Sequence, residues 1–469
     1  MKVTPSHNEA VKVLVPVGAL GIGMSEQELA AGIAEGAQAI ALDAGSTDSG
    51  PAYLATGQSK YGRQSTKRDL ALAMRARERG RIPLLIGSCG TSGCDRAVDW
   101  TLEIVEEIAR EEGMRPKIAV LYSEQDKAVL KAKAAAGLVA PLAPAGAIDD
   151  ATIDACTHIV ALLGPEPYIA ALEQGADIVL GGRTTDTAVL AALPLMRGAA
   201  PGAAWHAAKI AECGGLCSVN PTSPGVMISV DREGFSVAPL DPANRCTPET
   251  VSAHMLYENS DPFRLVEPGG VLLVADARYE AIDARSVRVT GSRFAPAPYT
   301  MKLEGAGGGP FQTFMLVGIE DPLVLEDVDG FLARMHAALT ARVRRTLGAE
   351  AGQFDISLRP YGWNAVSGLQ PPAGTPMPPE IGLMFVATAR SQALATQIAK
   401  ICNPTFFHFP VRDGKEMPSY GFPFSPAEIE RGEVYEFHLN HVVATSSPFE
   451  LMRTRWVDLS APTKAARRG

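Results

Sequence analysis

The chain has 469 residues, of which 46% are hydrophobic and 20% are charged, and its net charge is −9. This composition is that of an ordinary globular protein with enough residues for two or three domains. The negative charge gives no reason to expect a nucleic-acid or membrane-surface partner. The sequence contains no run of about 18 apolar residues and no signal-peptide core. We therefore predict a cytoplasmic protein without a membrane segment.

Seven cysteines, an odd number, are spread through the sequence. In a cytosolic chain they are expected to be free thiols rather than a disulfide framework. Cys89 and Cys94 have four residues between them, and Cys213 and Cys217 have three, so neither pair has the C-x-x-C spacing of a zinc ribbon. We predict no metal and no cofactor, and coenzyme A is one option as a part of the substrate.

From residue 10 to 200 short apolar runs alternate with helical segments. The predicted strands are Val11–Gly18, the run that ends at Asp43, Ile82–Gly87, Lys117–Tyr122, His158–Leu163 and Asp177–Leu180, and the longest predicted helices are Thr66–Arg79 and Asp95–Glu112. Strands that alternate with helices indicate crossover units and a parallel sheet. The prediction is an α/β fold in which residues 1–200 form an open, mostly parallel, Rossmann-like sheet domain.

After residue 200 this alternation is lost. Residues 201–280 are predicted to form a helical and loop extension that contributes to the site, with helices at Trp205–Cys213 and around His254 and Glu258. Residues 281–460 are predicted as an α+β region, with a ferredoxin-like arrangement as one option, and residues 461–469 as a tail. The predicted elements include a glycine-rich break at Gly305–Pro310, helices at Asp327–Leu347 and Ser391–Ile401, and strands at Ile381–Ala389 and Gly432–Ala444.

The loop Leu42–Pro51, with the sequence LDAGSTDSGP, follows a buried run and begins with a carboxylate. Glycines allow the backbone to approach a ligand, while Ser, Thr and Asp side chains offer polar atoms without bulk. This pattern indicates a contact loop in which Asp43 is catalytic and Ser46 and Thr47 bind substrate. The alternative is an ordinary turn with a helix N-cap, which uses the same residue types.

Three later strand ends carry similar groups, namely Ser88, Gly90 and Thr91 in the loop Gly87–Cys94, then Glu124, then Arg183 with Asp186. In open α/β sheets the ligand crevice lies outside the carboxyl ends of the strands, so these groups are predicted to meet at one edge. We predict that Glu124 and Asp186 are catalytic and that Arg183 clamps a carboxylate. The Gly87–Cys94 loop is predicted to cradle an anion. A tight turn and an internal ion pair are the alternatives.

The second half of the chain contributes three further candidates. Lys302 and Glu304 alternate onto one face of a predicted strand and are predicted to bind substrate, with an exposed ion pair as the alternative. His254 and Glu258 would share a face of a predicted helix, which makes His254 a candidate acid or base. A hydrogen-bonded interior histidine is the alternative. The sequence contains neither a P-loop nor a dinucleotide-binding fingerprint.

These segments resemble the acyclic terpene utilisation (AtuA-like) family. The matching stretches include LDAGSTDSGP, IGSCGTSG, EQGADIVLGGRTTDTAV, PYTMKLEGA and PFSPAEIERGEVYEFHLNHVV, and they extend from about residue 12 to 457. The family takes its name from a gene cluster that degrades citronellol and geraniol through CoA esters. Its members often occur beside a small protein or domain of ferredoxin-like fold, so the resemblance implies a small ferredoxin-fold partner.

Two hypotheses follow. The first is a catabolic lyase, hydratase or isomerase that acts on a carboxylate or acyl-CoA substrate in acyclic terpene or related branched-acid degradation. The second is a non-catalytic scaffold or assembly subunit that works with the small partner. A metal-dependent lyase using His254 and Glu258 is a third interpretation. The chain is also predicted to form a homo-oligomer.

Overall fold

A computed structural model describes residues 10–372, 374–411 and 420–459, so the predicted tail at 461–469 lies outside the described residues. The chain forms two compact units, one made of Met1–Gly307 with Phe437–Gly469 and the other of Gly308–Glu436. The division at residues 200, 280 and 460 stays a prediction. Within the described ranges no helix is both long enough and apolar enough to cross a membrane.

The first unit begins with alternating strands and helices. In chain order they are β1 (Val11–Val15), α1 (Glu26–Ala34), β2 (Ala39–Asp43), α2 (Ala52–Thr56), α3 (Arg63–Gly80), β3 (Leu84–Gly87), α4 (Asp95–Glu112), β4 (Lys117–Tyr122), α5 (Lys127–Ala135), β5 (Val139–Pro141), α6 (Asp150–Ala155), β6 (His158–Ala161), α7 (Glu166–Glu173), β7 (Ile178–Gly181), α8 (Ala188–Met196) and α9 (Pro201–Ala211). The predicted bounds of the helix Asp95–Glu112 and the strand Lys117–Tyr122 are confirmed.

The remaining elements are mostly strands. They are β8 (Val226–Val230), β9 (Gly234–Pro239), α10 (Pro248–Ala253), β10 (Arg264–Glu267), β11 (Gly270–Leu273), β12 (Arg278–Ala281), β13 (Val287–Thr290), β14 (Arg293–Pro296), β15 (Thr300–Ile319), α11 (Pro322–Leu325), α12 (Val328–Leu347), β16 (Phe354–Tyr361), β17 (Ile381–Ala389), α13 (Gln392–Phe407), β18 (Ile429–Ala444) and β19 (Arg453–Asp458).

A ten-stranded mixed sheet forms the centre of the first unit, in the order β12-β13-β9-β8-β1-β2-β3-β7-β4-β19. Its five middle strands, from β1 to β4, run parallel. Alternate residues of these strands enter two separate apolar cores, for example Leu85 on one face and Ile86 on the other. Strands buried on both faces read as continuous apolar runs, which is why the sequence predicts them. The predicted α/β class is confirmed.

Strand β6 does not join this sheet. It pairs antiparallel with Leu303–Ala306 of β15, so that Val160 lies opposite Glu304. The prediction of a glycine-rich break at Gly305–Pro310 is wrong, because β15 continues through it. Glycine is required there by close packing, since a Cβ on Gly305 would lie 2.7 Å from Cys156 Sγ and one on Gly307 would lie 2.1 Å from the Ala155 carbonyl oxygen. Glycine in a strand marks such approaches.

The second unit has the element order strand, helix, strand, strand, helix, strand, formed by the end of β15, α12, β16, β17, α13 and the start of β18. Its strands are ordered β16-β17-β15-β18, with antiparallel pairing of β17 to both β15 and β16. This connectivity is ferredoxin-like, the option named in the prediction. Apolar side chains that include Phe331, Phe385 and Ile398 form its core.

Candidate functional site

Three of the predicted strand-end groups lie together at one edge of the parallel sheet. Asp43 ends β2, Ser88 follows β3, and Arg183 lies two residues after β7. Because β2, β3 and β7 are parallel neighbours, their carboxyl ends share an edge. All three side chains are buried. The site is therefore built from these strand ends.

Arg183 contacts most of the other polar groups at this edge, and its side chain is 4% exposed. Its Nε donates to Glu304 Oε2 at 3.1 Å, and its Nη1 donates to Ser88 Oγ and to Asp186 Oδ1, both at 3.0 Å. Burial alone would lower the pKa of Arg183, but attraction to Glu304 and Asp186 raises it. The guanidinium is thus charged and engaged by protein groups.

Glu304 is the main counter-charge of Arg183 and is 4% exposed. Its Oε2 also accepts the Thr47 hydroxyl at 2.8 Å, and its Oε1 accepts Lys302 Nζ at 2.8 Å. Burial raises the pKa of Glu304, but Arg183 and Lys302 outweigh it and lower that pKa to about 2. The alternative of an exposed Lys302–Glu304 pair is therefore wrong for Glu304, because β6 and the strand-end loops cover it.

Asp43 interacts electrostatically with Asp186 and Arg183 of this network. Its Oδ2 accepts the Gly45 N–H at 3.0 Å, whereas Oδ1 is buried and has no hydrogen-bond partner among the described residues. Burial and repulsion from Asp186 raise the pKa of Asp43 well above its usual value, although Arg183 opposes the shift. The Asp43 carboxyl is therefore harder to ionise than an aspartate in water.

Four backbone N–H groups of the Gly87–Cys94 loop already donate to carbonyls of the protein. The N–H groups of Ser88 and Cys89 donate to the carbonyls of Gly182 and Gly181, and those of Ser92 and Gly93 donate within the loop. Gly90 is required because a Cβ there would lie 2.8 Å from Ala97 Cβ, and Thr91, at φ +77°, accepts the Lys60 N–H through its hydroxyl. Ser46 is engaged locally, with its hydroxyl 2.5 Å from Asp48 Oδ2.

The N-terminus of α4 is occupied by Glu124. The Asp95 N–H donates to Glu124 Oε2 at 2.8 Å, and Glu124 Oε1 lies 2.6 Å from His158 Nδ1. A helix N-terminus attracts an anion through its free N–H groups and its dipole, and here a side chain of the protein supplies it. Glu124 thus belongs to a cluster with His158 and lines neither of the two cavities described below.

A cavity of about 350 Å³ opens beside Arg183, and we call it the acid cleft. Five carboxylates and three cations contribute to its lining: Asp48, Asp186, Glu212, Glu258, Glu267, Arg183, Lys209 and Lys302. All three cations are paired with acids, but Arg183 and Lys209 are buried, whereas the Lys302 side chain is 41% exposed. Lys302 is therefore the cation best placed to meet a ligand.

Glu267 is a second deeply buried carboxyl of the acid cleft, beside Glu212, and it is 6% exposed. Its Oε1 accepts the Thr187 hydroxyl at 2.7 Å, and its Oε2 is buried without a hydrogen-bond partner in the described part of the chain. Burial raises the pKa of Glu267 to about 7, while the hydroxyls of Thr187 and Thr185 oppose the shift. Such a group can both give and take a proton at neutral pH.

Sequence reasoning missed Glu267, Lys209 and Glu212. Lys209 donates to Glu212 from the same helix, and both are buried. A signal was present, because these are two charged residues three apart in the otherwise apolar segment PGAAWHAAKIAECGG, where charge is rare without a partner. Glu267 gave no comparable signal, since it ends a short strand in an unremarkable hairpin.

The predicted helical pairing of His254 with Glu258 is wrong. Helix α10 ends at Ala253, a short 3-10 turn follows, and Glu258 has φ +58°. His254 is nevertheless buried near the cleft, where donor atoms of Glu212, Cys213 and His254 lie within 4.8 Å of one another. Burial, and then Lys209, lower the pKa of His254 to about 4, so its ring is neutral at pH 7.

A second cavity of about 540 Å³ shares Asp48 and Lys302 with the acid cleft. Its remaining wall comes from the Pro144–Ala147 segment and from Phe437–His441. Here His438 lines the cavity, while His441 Nε2 lies 3.0 Å from the Gly146 carbonyl oxygen. Because the two cavities share wall residues, one elongated ligand could occupy both.

Fold and site together define an α/β protein with a strand-end cleft. Five carboxyl groups, two of them buried, lie around three cations in this cleft, an arrangement suited to proton transfer. The profile of a family described as acyclic terpene utilisation family protein AtuA matches residues 84–410. The chain belongs to this family, which implicates it in acyclic terpene utilisation. No curated protein and no solved structure matches the chain.

Proposed function

We propose that the protein is an acid–base enzyme, a lyase, hydratase or isomerase, acting on a carboxylate or acyl-CoA substrate in acyclic terpene or related branched-acid degradation. The observation that carries the proposal is Glu267, a buried carboxyl with a pKa of about 7, one oxygen of which has no partner among the described residues. Hydration, dehydration and isomerisation next to a carbonyl all need a group that gives or takes a proton near neutral pH.

In this proposal Glu267 is the acid or base that moves the substrate proton. Asp186, which also lines the acid cleft and has a pKa raised by burial, is the candidate second group. Reactions of this kind pass through an enolate-like state, which needs a nearby positive charge. Lys302 supplies that charge, since its side chain is partly exposed and lies on the wall of both cavities.

For Arg183 we propose a role other than the carboxylate clamp predicted from the sequence. Its Nε, Nη1 and Nη2 atoms already donate to protein groups, the last of them to the Thr47 hydroxyl at 3.5 Å. A clamp needs free donors in a bidentate arrangement. We therefore assign Arg183 to positioning, because it holds Glu304 and, through Glu304, the Lys302 ammonium.

The two cavities support an elongated substrate with a polar head and a less polar tail. The head would lie in the acid cleft against Lys302, and the tail would extend into the second cavity past Phe437 and the Pro144–Ala147 segment. Their volumes, about 350 and 540 Å³, are in the usual range for ligand pockets. A branched acyl group carried on a free carboxylate or on a thioester fits this division.

Ligand binding tests the first half of the proposal. Purified protein is heated with a panel of acyl-CoA esters and free branched carboxylates, and the melting temperature is recorded. A ligand at about 100 times its dissociation constant adds roughly 2.7 kcal/mol of stability, which gives a readable shift. We expect a hit that is lost in Lys302→Met and kept in Lys131→Met, a control lysine that pairs with Asp154 at a distance of 2.7 Å and lines neither cavity.

The scaffold hypothesis predicts a different result. If no small molecule shifts the melting temperature, and a small ferredoxin-fold protein does, the chain is an assembly subunit rather than an enzyme. A hit that survives Lys302→Met would also contradict the proposed binding mode. The homo-oligomer and the small partner stay predictions.

A further inference from the structure

A second group of chemically active side chains lies apart from the acid cleft. Cys94 immediately precedes α4, Glu124 follows β4, and His158 begins β6. One donor atom from each, the Cys94 Sγ, a Glu124 carboxylate oxygen and a ring nitrogen of His158, lies within 4.8 Å of the other two. Three residues more than 25 positions apart in sequence thus bring sulfur, oxygen and nitrogen donors to one point.

Gly57 supplies an independent observation at the same point. A Cβ on Gly57 would lie 3.2 Å from His158 Nε2 and 3.3 Å from Cys94 Sγ. These distances are tighter than ordinary van der Waals contact, so a glycine at this position keeps a side-chain carbon away from both donor atoms. Gly57 follows α2 with φ +63°, a left-handed conformation that favours glycine. The backbone conformation and the close neighbours thus both favour glycine at this position.

Each donor is also held by neighbouring groups. The Asp95 N–H fixes Glu124 through Oε2, which leaves Oε1 directed at His158 Nδ1. The Ser92 hydroxyl donates to Cys94 Sγ at 3.4 Å, which holds the sulfur in place. Hydrogen bonds of this type orient ligands in metal sites, and their loss typically weakens metal binding 10–100-fold.

We propose that Cys94, Glu124 and His158 form a binding site for a divalent transition metal of the zinc class. The mixed set of thiolate, imidazole and carboxylate suits a borderline-soft ion such as Zn²⁺ or Co²⁺, and not Mg²⁺ or Ca²⁺, which prefer oxygen alone. Cys94 is fully buried and lines neither of the two cavities described above, so this cluster is separate from the acid cleft.

The metal would be structural for the acid cleft. It would join the start of α4, the end of β4 and the start of β6, and β6 holds the Leu303–Ala306 segment that carries Glu304. This role is independent of the reaction assigned above. Two other groups are poorer candidates, because Glu212 beside Cys213 and His254 is already paired with Lys209, and Asp48, Asp186 and Glu258 form an acidic group with two exposed members.

The test is a Co²⁺ titration of full-length protein that has been freed of metal with a chelator. Thiolate ligation of Co²⁺ gives a ligand-to-metal charge-transfer band in the near ultraviolet and d–d bands in the visible. We expect one equivalent of Co²⁺ to produce both in the wild type. The charge-transfer band disappears in Cys94→Ser, and His158→Gln binds at least tenfold more weakly. The control Cys213→Ser, from the other cysteine-containing group, behaves as the wild type.

Absence of the charge-transfer band in the wild type, its survival in Cys94→Ser, or its loss in Cys213→Ser would each overturn the proposal. Folding of the variants is checked by melting temperature without metal. If Cys94→Ser does not fold, Glu124→Gln, which keeps the size of the side chain, carries the test. Zn²⁺ then raises the melting temperature of the wild type and not that of Glu124→Gln, and equal shifts contradict the site.

Discussion

Replacement of Arg183 by methionine should destabilise the first unit strongly, because it leaves Glu304 buried without its main counter-charge. Two estimates of the size agree. Removal of one partner of a buried ion pair typically lowers the free energy of unfolding by about 3–5 kcal/mol. The pKa of Glu304, lowered from 4.5 to about 2, corresponds to about 3 kcal/mol of stabilisation of its charged form at neutral pH.

The pH dependence follows from the direction of that shift. The pKa of Glu304 is lower in the folded chain than in the unfolded chain, so its contribution is complete above about pH 4.5 and is lost as the pH falls toward 2. The difference in unfolding free energy between the wild type and Glu304→Gln should therefore be largest at pH 5 and above and shrink toward pH 3.

Urea unfolding followed by tryptophan fluorescence measures these differences. Three of the four tryptophans, Trp100, Trp205 and Trp456, belong to the first unit, so a Trp363→Phe background reports on that unit alone. In the double variant Arg183→Met with Glu304→Gln no carboxylate is left unpaired at position 304, so part of the loss should be recovered. An Arg183→Met variant within about 1 kcal/mol of its parent at pH 7 would refute the reasoning.

Three further single substitutions, at Glu267, Thr187 and Gly93, have distinct expected outcomes. Glu267→Gln should lower turnover about 10²–10⁴-fold, the usual contribution of a general acid or base, and an active variant would remove that role. Its raised pKa also implies that wild-type stability falls by about 3 kcal/mol between pH 4.5 and 7, a fall that urea melts of Glu267→Gln should lack. Thr187→Val should raise the pKa of Glu267, because it removes a hydrogen bond to the carboxylate, and should shift the pH–rate profile to higher pH. An unchanged profile would show that the Thr187 hydroxyl does not influence the titration of Glu267. Gly93→Ala should lose about 2–5 kcal/mol in urea, because its Cβ would lie 2.0 Å from the Arg183 backbone nitrogen at φ +64°; Gly113→Ala, at φ +69° with open space, is the control and should lose less.

The parallel half of the fold could be predicted because its signals are local. Strands buried on both faces read as apolar runs, and the small polar residues after them mark the strand ends, which places Asp43, Ser88 and Arg183 at one edge. In the second half, local patterns gave a wrong prediction at β15. A glycine run normally ends a strand, but here the strand continues and the glycines are required by packing against Cys156 and Ala155.

The electrostatic core of the site depends on long-range pairing that no local pattern contains. Arg183 and Glu304 are 121 residues apart and meet because β6 pairs with β15. The same is true of Glu124 and His158, which meet across the end of β4 and the start of β6. A sequence pattern can nominate a charged residue, but only the strand pairing shows whether it faces a partner, a cavity or an ion.

The most direct test of the acid–base claim is solvent deuterium exchange. The protein is incubated in D₂O at pH 7 with a ligand found in the thermal screen, and deuterium at carbon next to the carbonyl is measured by mass spectrometry. The proposed proton transfer predicts incorporation that is lost in Glu267→Gln and retained in Glu28→Gln, a control at a half-buried glutamate that binds the Gly225 N–H and lines neither cavity. Incorporation that persists unchanged in Glu267→Gln, or no incorporation with any bound ligand, would contradict it.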